Sequence, residues 1–492
     1  MRAAEQVGRL VLAAFVLSYS PAHAARPADR LPAEVRQAFA DAGVPLSHVA
    51  LLARPVGAGR DRIAWRADVP MNPASTMKLL TTFAGLELLG PQHSWKTSVL
   101  RQGELIDGVL HGSLVLRGGG DPKLTLERFW LLLRELRLRG LRRIEGDVLL
   151  DRGAWLPPAP EAAFGATPFR PYNVAPDPLL VNFATLRFRL LPKADGVELL
   201  VDPPLPELKL VNRLEADPQP CGDWRNGLQV DVAGPVVTFA GKYRSACGER
   251  DYYLSPLPAP DYVAALLRLQ WRELGGELGG QVRFAPTPDD AGLWFEQASP
   301  PLAEVIRDIN KFSNNAQARL LYLSLGRANN NGGDRLPAAE TALRQWLAQR
   351  RLSLPGLVLE NGSGLSRNER ITARGLADLL DLAQRSPLGA ELESSLPIVA
   401  VDGTMKQRLQ QQAGAGRAHI KTGSLDGVRS VAGYVHRDDG KWIVVGLVNH
   451  PLAANAVAAL DAWIAWVAGL PTPGGACCGQ PAPAGDAPKP PG

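Results

Sequence analysis

Three short motifs carry residues that could do covalent chemistry: Ser75-Thr76-Met77-Lys78, Ser313-Asn314-Asn315 and Lys421-Thr422-Gly423. A serine with a lysine one helical turn further on pairs a hydroxyl nucleophile with an amine base. Ser313 adds a second hydroxyl for passing a proton, and Asn315 an amide that can hold both enzyme and substrate groups. Lys421 adds fixed positive charge, Thr422 and Ser424 add hydroxyls that can grip a carboxylate, and Gly423 clears room for a substrate backbone. Each motif is cheap alone; S-x-x-K arises by chance in roughly half of chains this long. All three in one order, each in a fitting local context, point to acyl transfer through a serine ester.

The surrounding residues supply that context. Asn72 can cap a helix and Pro73 suits its first position, so Ser75 falls in the first turn of an apolar run stopped by Gly90-Pro91. Its N–H is then free to donate to an oxyanion, and burial among Met77, Leu79, Leu80 and Phe83 lowers the pKa of Lys78. A surface serine followed by a snorkelling lysine is the structural alternative. Ser313 to Asn315 interrupt two helical runs, 305–312 and 316–323, and read as a presenting loop, with a plain helix cap as the alternative. Lys421 to Leu425 precede a hairpin (430–435 and 442–448 around Asp438-Asp439-Gly440) and are placed on an edge strand, where a peptide could pair by strand addition.

Further out, 33–40 reads as a helix, 49–56 and 62–66 as a strand pair, and 461–468 as a closing helix with Trp463 and Trp466 on one face. The two ends of the chain are therefore expected to share one antiparallel sheet. The long stretch between the first two motifs reads as strands and turns at 108–116, 146–150, 185–191 and 228–239, with helices at 124–138 and 261–274. A β-rich insertion explains it, since loop-closure entropy grows slowly with length. The expected organisation is 1–24 as a secretory signal, 25–95 and 296–470 as two parts of a catalytic domain, 96–295 as the insert, and 471–492 as a Pro/Gly/Ala tail. Basic residues, the apolar run 10–17 and Ala22-His23-Ala24 make the signal; that run is far short of the ~20 residues of a membrane span.

Composition excludes more than it selects. Fifty-four basic against 49 acidic residues leave a formal charge of +5 over 492 residues, and the arginines of 134–139 are diluted by leucines, so nucleic-acid binding is not expected. Cys221 and Cys247 suit a disulfide in an oxidising compartment, whereas Cys477-Cys478 lie in the tail. No His/Cys spacing matches a metal site, so neither metal nor organic cofactor is expected; His419, two positions before Lys421, reads as structural or a minor rim contact. No G-x-S-x-G elbow supports a Ser-His-Asp triad.

The ordered S-T-M-K, S-N-N and K-T-G-S-L set resembles the D-alanyl-D-alanine carboxypeptidase/endopeptidases of the penicillin-binding protein 4 type (peptidase S13 family). Gly118-Gly119-Gly120-Asp121-Pro122, Asn361-Gly362-Ser363-Gly364-Leu365-Ser366-Arg367 and Val401-Asp402-Gly403-Thr404-Met405 resemble accessory motifs of that family, over roughly 30–465. Read from residues alone, the Gly-rich tract is a tight turn rather than a phosphate loop.

The resemblance implies an α/β (α+β) serine β-lactamase/transpeptidase-like domain, a five-stranded antiparallel sheet with flanking helices, interrupted by the large insert. It makes Ser75 the nucleophile, Lys78 the base and Ser313 the proton relay. Asn315 orients substrate, Lys421, Thr422 and Ser424 receive its carboxylate, and the N–H groups of Ser75 and Ser424 form an oxyanion hole. Arg408 would read an acidic stem-peptide group. Peptidoglycan stem peptides are the implied substrates and β-lactams the implied covalent inhibitors, in the periplasm after Sec-type export, with a homodimer or cell-wall enzyme partners left open. A transpeptidase, a β-lactamase and a non-catalytic peptidoglycan-binding scaffold are the rival readings.

Overall fold

A computed structural model describes residues 31–155, 164–165, 168–326 and 334–470. The expected signal at 1–24 and tail at 471–492, with Cys477 and Cys478, lie outside the described residues.

Both ends of the chain build one five-stranded sheet. Its strands are β1 (Val49–Pro55), β2 (Ile63–Trp65), β3 (Ala418–Leu425), β4 (Val428–Arg437) and β5 (Gly440–Asn449), in the order β3-β4-β5-β1-β2 and antiparallel throughout. The central strands are apolar on both faces because both are covered. Leu51 and Val444 point to one layer, with Val35 and Phe39 of α1 (Ala33–Asp41) and Trp463 and Ile464 of the C-terminal helix Val457–Gly469. Their neighbours Leu52 and Val445 point to the other, with Leu80 and Phe83 of α2 (Lys78–Leu89). Residue alternation along each strand thus feeds two hydrophobic cores. Trp463 also donates its indole N–H to the Val445 carbonyl at 3.0 Å, which fixes the closing helix on the sheet.

The second layer continues through α3 (Leu302–Lys311), α4 (Asn315–Leu325) and α5 (Ala373–Arg385), and the short α6 (Gly389–Ser394) follows. The intervening chain forms a sheet around the hairpin Lys96–Ile106/Val109–Arg117, closed by Gly292–Ala298, just past the expected edge at 295. The helices Leu126–Leu138 and Ala259–Glu273 share its core. Two smaller three-stranded sheets complete it, and Cys221 and Cys247 are disulfide-bonded. The stretch at 228–239 is not one element: Leu228–Ala233 and Val236–Arg244 form a hairpin whose turn places Gly234 at φ +57°. The tract Gly118-Gly119-Gly120 is a packed turn in which a Cβ on Gly119 would lie 2.1 Å from the Lys96 carbonyl oxygen. Among the described residues no helix is long and apolar enough to cross a membrane.

Candidate active site

The first motif does not start the helix directly. Residues Ala74–Met77 form a 3-10 turn running into α2, and Asn72 acts one step earlier than a helix cap, its amide oxygen accepting the Ala74 N–H at 2.9 Å. Ala74 is held at φ +45°, a left-handed conformation that costs a β-carbon-bearing residue roughly 1–2 kcal/mol. Asn72 is itself fixed, donating to the Ser366 carbonyl at 2.8 Å and paired with Asn449 through both its N–H and carbonyl. The turn presents Ser75 at the edge of β3. The approach is tight: a Cβ on Gly423 would lie 2.7 Å from the Pro73 carbonyl oxygen and 2.9 Å from the Ser75 nitrogen. Gly423 is therefore required by packing alone.

Lys78 is fully buried, and its ammonium nitrogen lies 2.9 Å from Ser75 Oγ and 2.7 Å from Asn315 Oδ1; it also donates to the Ser363 carbonyl. Burial, reinforced by the charge of Lys421, holds its pKa well below the ordinary lysine value. Buried Glu369, whose own pKa burial raises, opposes part of that shift. The second motif reaches the site on the loop between α3 and α4, with Ser313 at φ +58°. Asn314 caps α4 through the Gln317 N–H, so the capping alternative holds for that residue while its two neighbours face the site.

The third motif lies on edge strand β3 as expected. Lys421 is fully buried and donates to Ser313 Oγ at 2.9 Å and to the Thr422 carbonyl at 2.7 Å. Burial lowers its pKa to about 7. The three motifs thus form a chain from Ser75 through Lys78 to Asn315, with Ser313 and Lys421 alongside. A cavity of about 400 Å³ opens between them, lined by Ser75, Ser313, Asn315 and Ser424. Thr422 is hydrogen-bonded to Thr404 at 2.8 Å, in the segment that Lys311 anchors through Asp402.

Arg408 is placed differently. Its guanidinium grips Asp461 with nitrogens 2.6 and 3.0 Å from Oδ1, and it does not line the cavity. The cavity arginines are instead Arg367 and Arg429, and Arg408 stands close enough to Arg429 for its charge to help lower that guanidinium's pKa, after burial. Arg367 ends the accessory motif 361–367, whereas Arg429 lies outside every motif.

Two other supports were invisible locally. Glu369 accepts the N–H groups of Glu360, Asn361 and Gly362 at 3.1–3.2 Å, tying down the loop whose Ser363 carbonyl meets Lys78. Tyr172, from the inserted chain, accepts the Asn315 side-chain N–H at 3.1 Å with its carbonyl and also lines the cavity.

One consequence can be measured. The Lys421 ammonium is present below about pH 7 and lost above it. A ligand with a free C-terminal carboxylate should therefore show a KM that rises as pH climbs through that value, with proton uptake on binding. The same peptide carrying a C-terminal amide should show no such rise; equal profiles for the two would remove Lys421 as the carboxylate's partner.

A five-stranded antiparallel sheet with helices on both faces carries a serine–lysine pair at the end of a buried helix and a K-T-G edge strand beside it. The chain belongs to the D-Ala-D-Ala carboxypeptidase 3 (S13) family, whose model matches residues 31–467. It is similar to the D-alanyl-D-alanine carboxypeptidase of an Actinomadura species, 29% identical over 424 residues, 80% of this chain and 76% of that protein. It is similar also to carboxypeptidase DacB of Mycolicibacterium smegmatis, at 31% over 419 residues, 80% and 75% of the two chains. The crystal structure of penicillin binding protein 4 from Haemophilus influenzae shares the fold, with a TM-score of 0.72 at 22% identity over 87% of this chain and 97% of the other.

Proposed function

We propose that this protein is a serine-type D-Ala-D-Ala carboxypeptidase and D-alanyl-diaminopimelate endopeptidase, acting on peptidoglycan stem peptides in the periplasm. The observation that carries this reading is the 2.9 Å contact between Lys78 Nζ and Ser75 Oγ, with the amine buried and its pKa lowered. Neutral Lys78 takes the Ser75 proton as Oγ attacks the carbonyl carbon of the penultimate D-alanine. The developing oxyanion is received by the N–H groups of Ser75 and Ser424, which line one cavity. Ser313, in contact with Lys421, relays a proton to the leaving amine as the C–N bond breaks. Water then cleaves the serine ester with the same groups in reverse.

Lys421, Thr422 and Ser424 hold the terminal carboxylate, and Asn315 holds the stem peptide. The endopeptidase part draws on the cavity rim, where Arg367, stacked 5.4 Å over Phe164, and Arg429 stand near Asp426. In the crosslink the diaminopimelate amine is the nitrogen of the scissile amide, so its carboxylate is the group that a rim arginine would meet. Penicillins fit the same site as strained amides and should acylate Ser75. The kinship with carboxypeptidases and the intact set of groups favour catalysis over a binding scaffold.

Purified protein should release D-alanine from a pentapeptide stem and convert crosslinked dimers to monomers. Arg367→Ala should weaken the second activity more than the first. D-alanine release without dimer cleavage would confine the protein to carboxypeptidase work, and neither activity would reject the proposal.

A further inference from the structure

Away from the serine site, three residues that no spacing rule connects meet at the surface. His419 on β3 and His436 on β4 lie on neighbouring antiparallel strands, diagonal to the His419–Tyr434 pair, with ring centroids 5.4 Å apart. Glu393, at the end of α6, sits against both, and one ligand-type atom from each lies within 4.8 Å of the others. We propose that Glu393, His419 and His436 form a binding site for a first-row divalent transition ion of the Zn2+ type.

The hydrogen bonds around the trio already suit that role. His419 Nδ1 is 3.2 Å from the Glu393 backbone carbonyl. A carbonyl only accepts, so Nδ1 carries the proton and Nε2 keeps its lone pair, the arrangement by which protein groups orient metal-binding imidazoles. His436 Nε2 is 2.5 Å from Glu393 Oε1, so in the absence of an ion a proton bridges the position where a cation would join them. On metal binding that proton leaves Nε2, to Nδ1 or to solvent, and both atoms turn to the ion. The other carboxylate oxygen is occupied by Lys441, while Gln384 donates to it at 2.8 Å. These two neighbours fix the carboxylate and leave Oε1 facing the histidines. The Lys441 charge opposes a cation, but from the far oxygen. The Glu393 side chain is 11% exposed and that of His436 43%, so the site is anchored on one side and open to solvent on the other.

Two imidazoles and a carboxylate favour Zn2+, Cu2+ or Ni2+ over Mg2+ or Ca2+. Metal–ligand distances near 2.0–2.2 Å need ligand atoms roughly 3.3 Å apart, a closure within reach of side-chain rotation from the present spacing. The ion would tie α6 to the edge strand two positions before Lys421. It would act as a clamp on the substrate-binding strand without touching Ser75.

Chelator-treated full-length protein carrying C477S/C478S, so that the tail thiols take up no metal, should be titrated with Zn2+ by calorimetry. The proposal requires one ion per chain at micromolar free Zn2+ and a rise in Tm on saturation. His436→Asn and Glu393→Gln should each weaken uptake at least ~10-fold, while both variants still form the benzylpenicillin adduct as evidence of an intact fold. No uptake, or uptake unchanged by both substitutions, overturns the proposal and leaves the trio a metal-free hydrogen-bond network.

Discussion

Lys78→Met should slow acylation by benzylpenicillin by about 100- to 10,000-fold while leaving the protein folded. The methionine keeps the volume of a side chain that is fully buried, so no large cavity opens beside Ser75. What disappears is the amine in contact with Ser75 Oγ, together with the donor to Asn315 Oδ1 and the Ser363 carbonyl. Leaving two buried acceptors without a partner costs about 1–3 kcal/mol each, so a lower Tm is part of the expectation. Stopped-flow acylation and calorimetry on the same sample separate the two effects. Acylation at the wild-type rate would show that another group takes the serine proton.

The second large effect concerns a residue that never meets substrate. Gly364 sits at φ +78°, and a Cβ there would lie 1.9 Å from the Ala74 carbonyl oxygen and 2.8 Å from the Ser75 nitrogen. Both neighbours are backbone, so neither can swing aside as a side chain could. Gly364→Ala combines a left-handed alanine, roughly 1–2 kcal/mol, with overpacking of about 1–3 kcal/mol. Relief would come from displacing the Ala74–Ser75 turn, already strained at Ala74. We expect a destabilisation of about 2–5 kcal/mol and a fall in acylation rate even in the fraction that remains folded. Denaturant unfolding measures the first and adduct formation at a temperature well below Tm the second. A variant as stable and as fast as the parent would show that this contact does not position the nucleophile.

Both predictions illustrate what the sequence could and could not reveal. The strands of the central sheet, α2 and the closing helix were legible because local apolar patterns and Gly-Pro or Asp-Gly turns set them. Ser75 and Lys78, and Ser313 and Asn315, stand out at short, fixed spacings and Lys421 within its K-T-G triplet, and the fold brings the five side chains together. Glu369 was not, because its work is to accept backbone N–H groups from the 360–362 turn, and a buried carboxylate serving backbone leaves no spacing signal. Tyr172 contributes a carbonyl, which any residue carries. Arg408 is tied to Asp461 while Arg367 and Arg429 line the cavity, since only the fold decides which arginine meets an aspartate and which faces open space. The meeting of His419 with His436 leaves no spacing signal, because antiparallel pairing, not sequence distance, brings them together. The 3-10 turn before α2 escaped for a subtler reason: Asn72 and Pro73 are good helix-start residues, and only the grip of Asn449 and Ser366 on Asn72 moves the start.

Acylation at Ser75 Oγ is tested most directly by intact-mass spectrometry with benzylpenicillin. Wild-type protein should gain the mass of one drug molecule and keep it, and Ser75→Ala, shown to be folded, should gain none. An adduct that persists in Ser75→Ala, or a folded wild type that leaves the drug intact and takes up no mass, would contradict the assignment of this serine as the nucleophile.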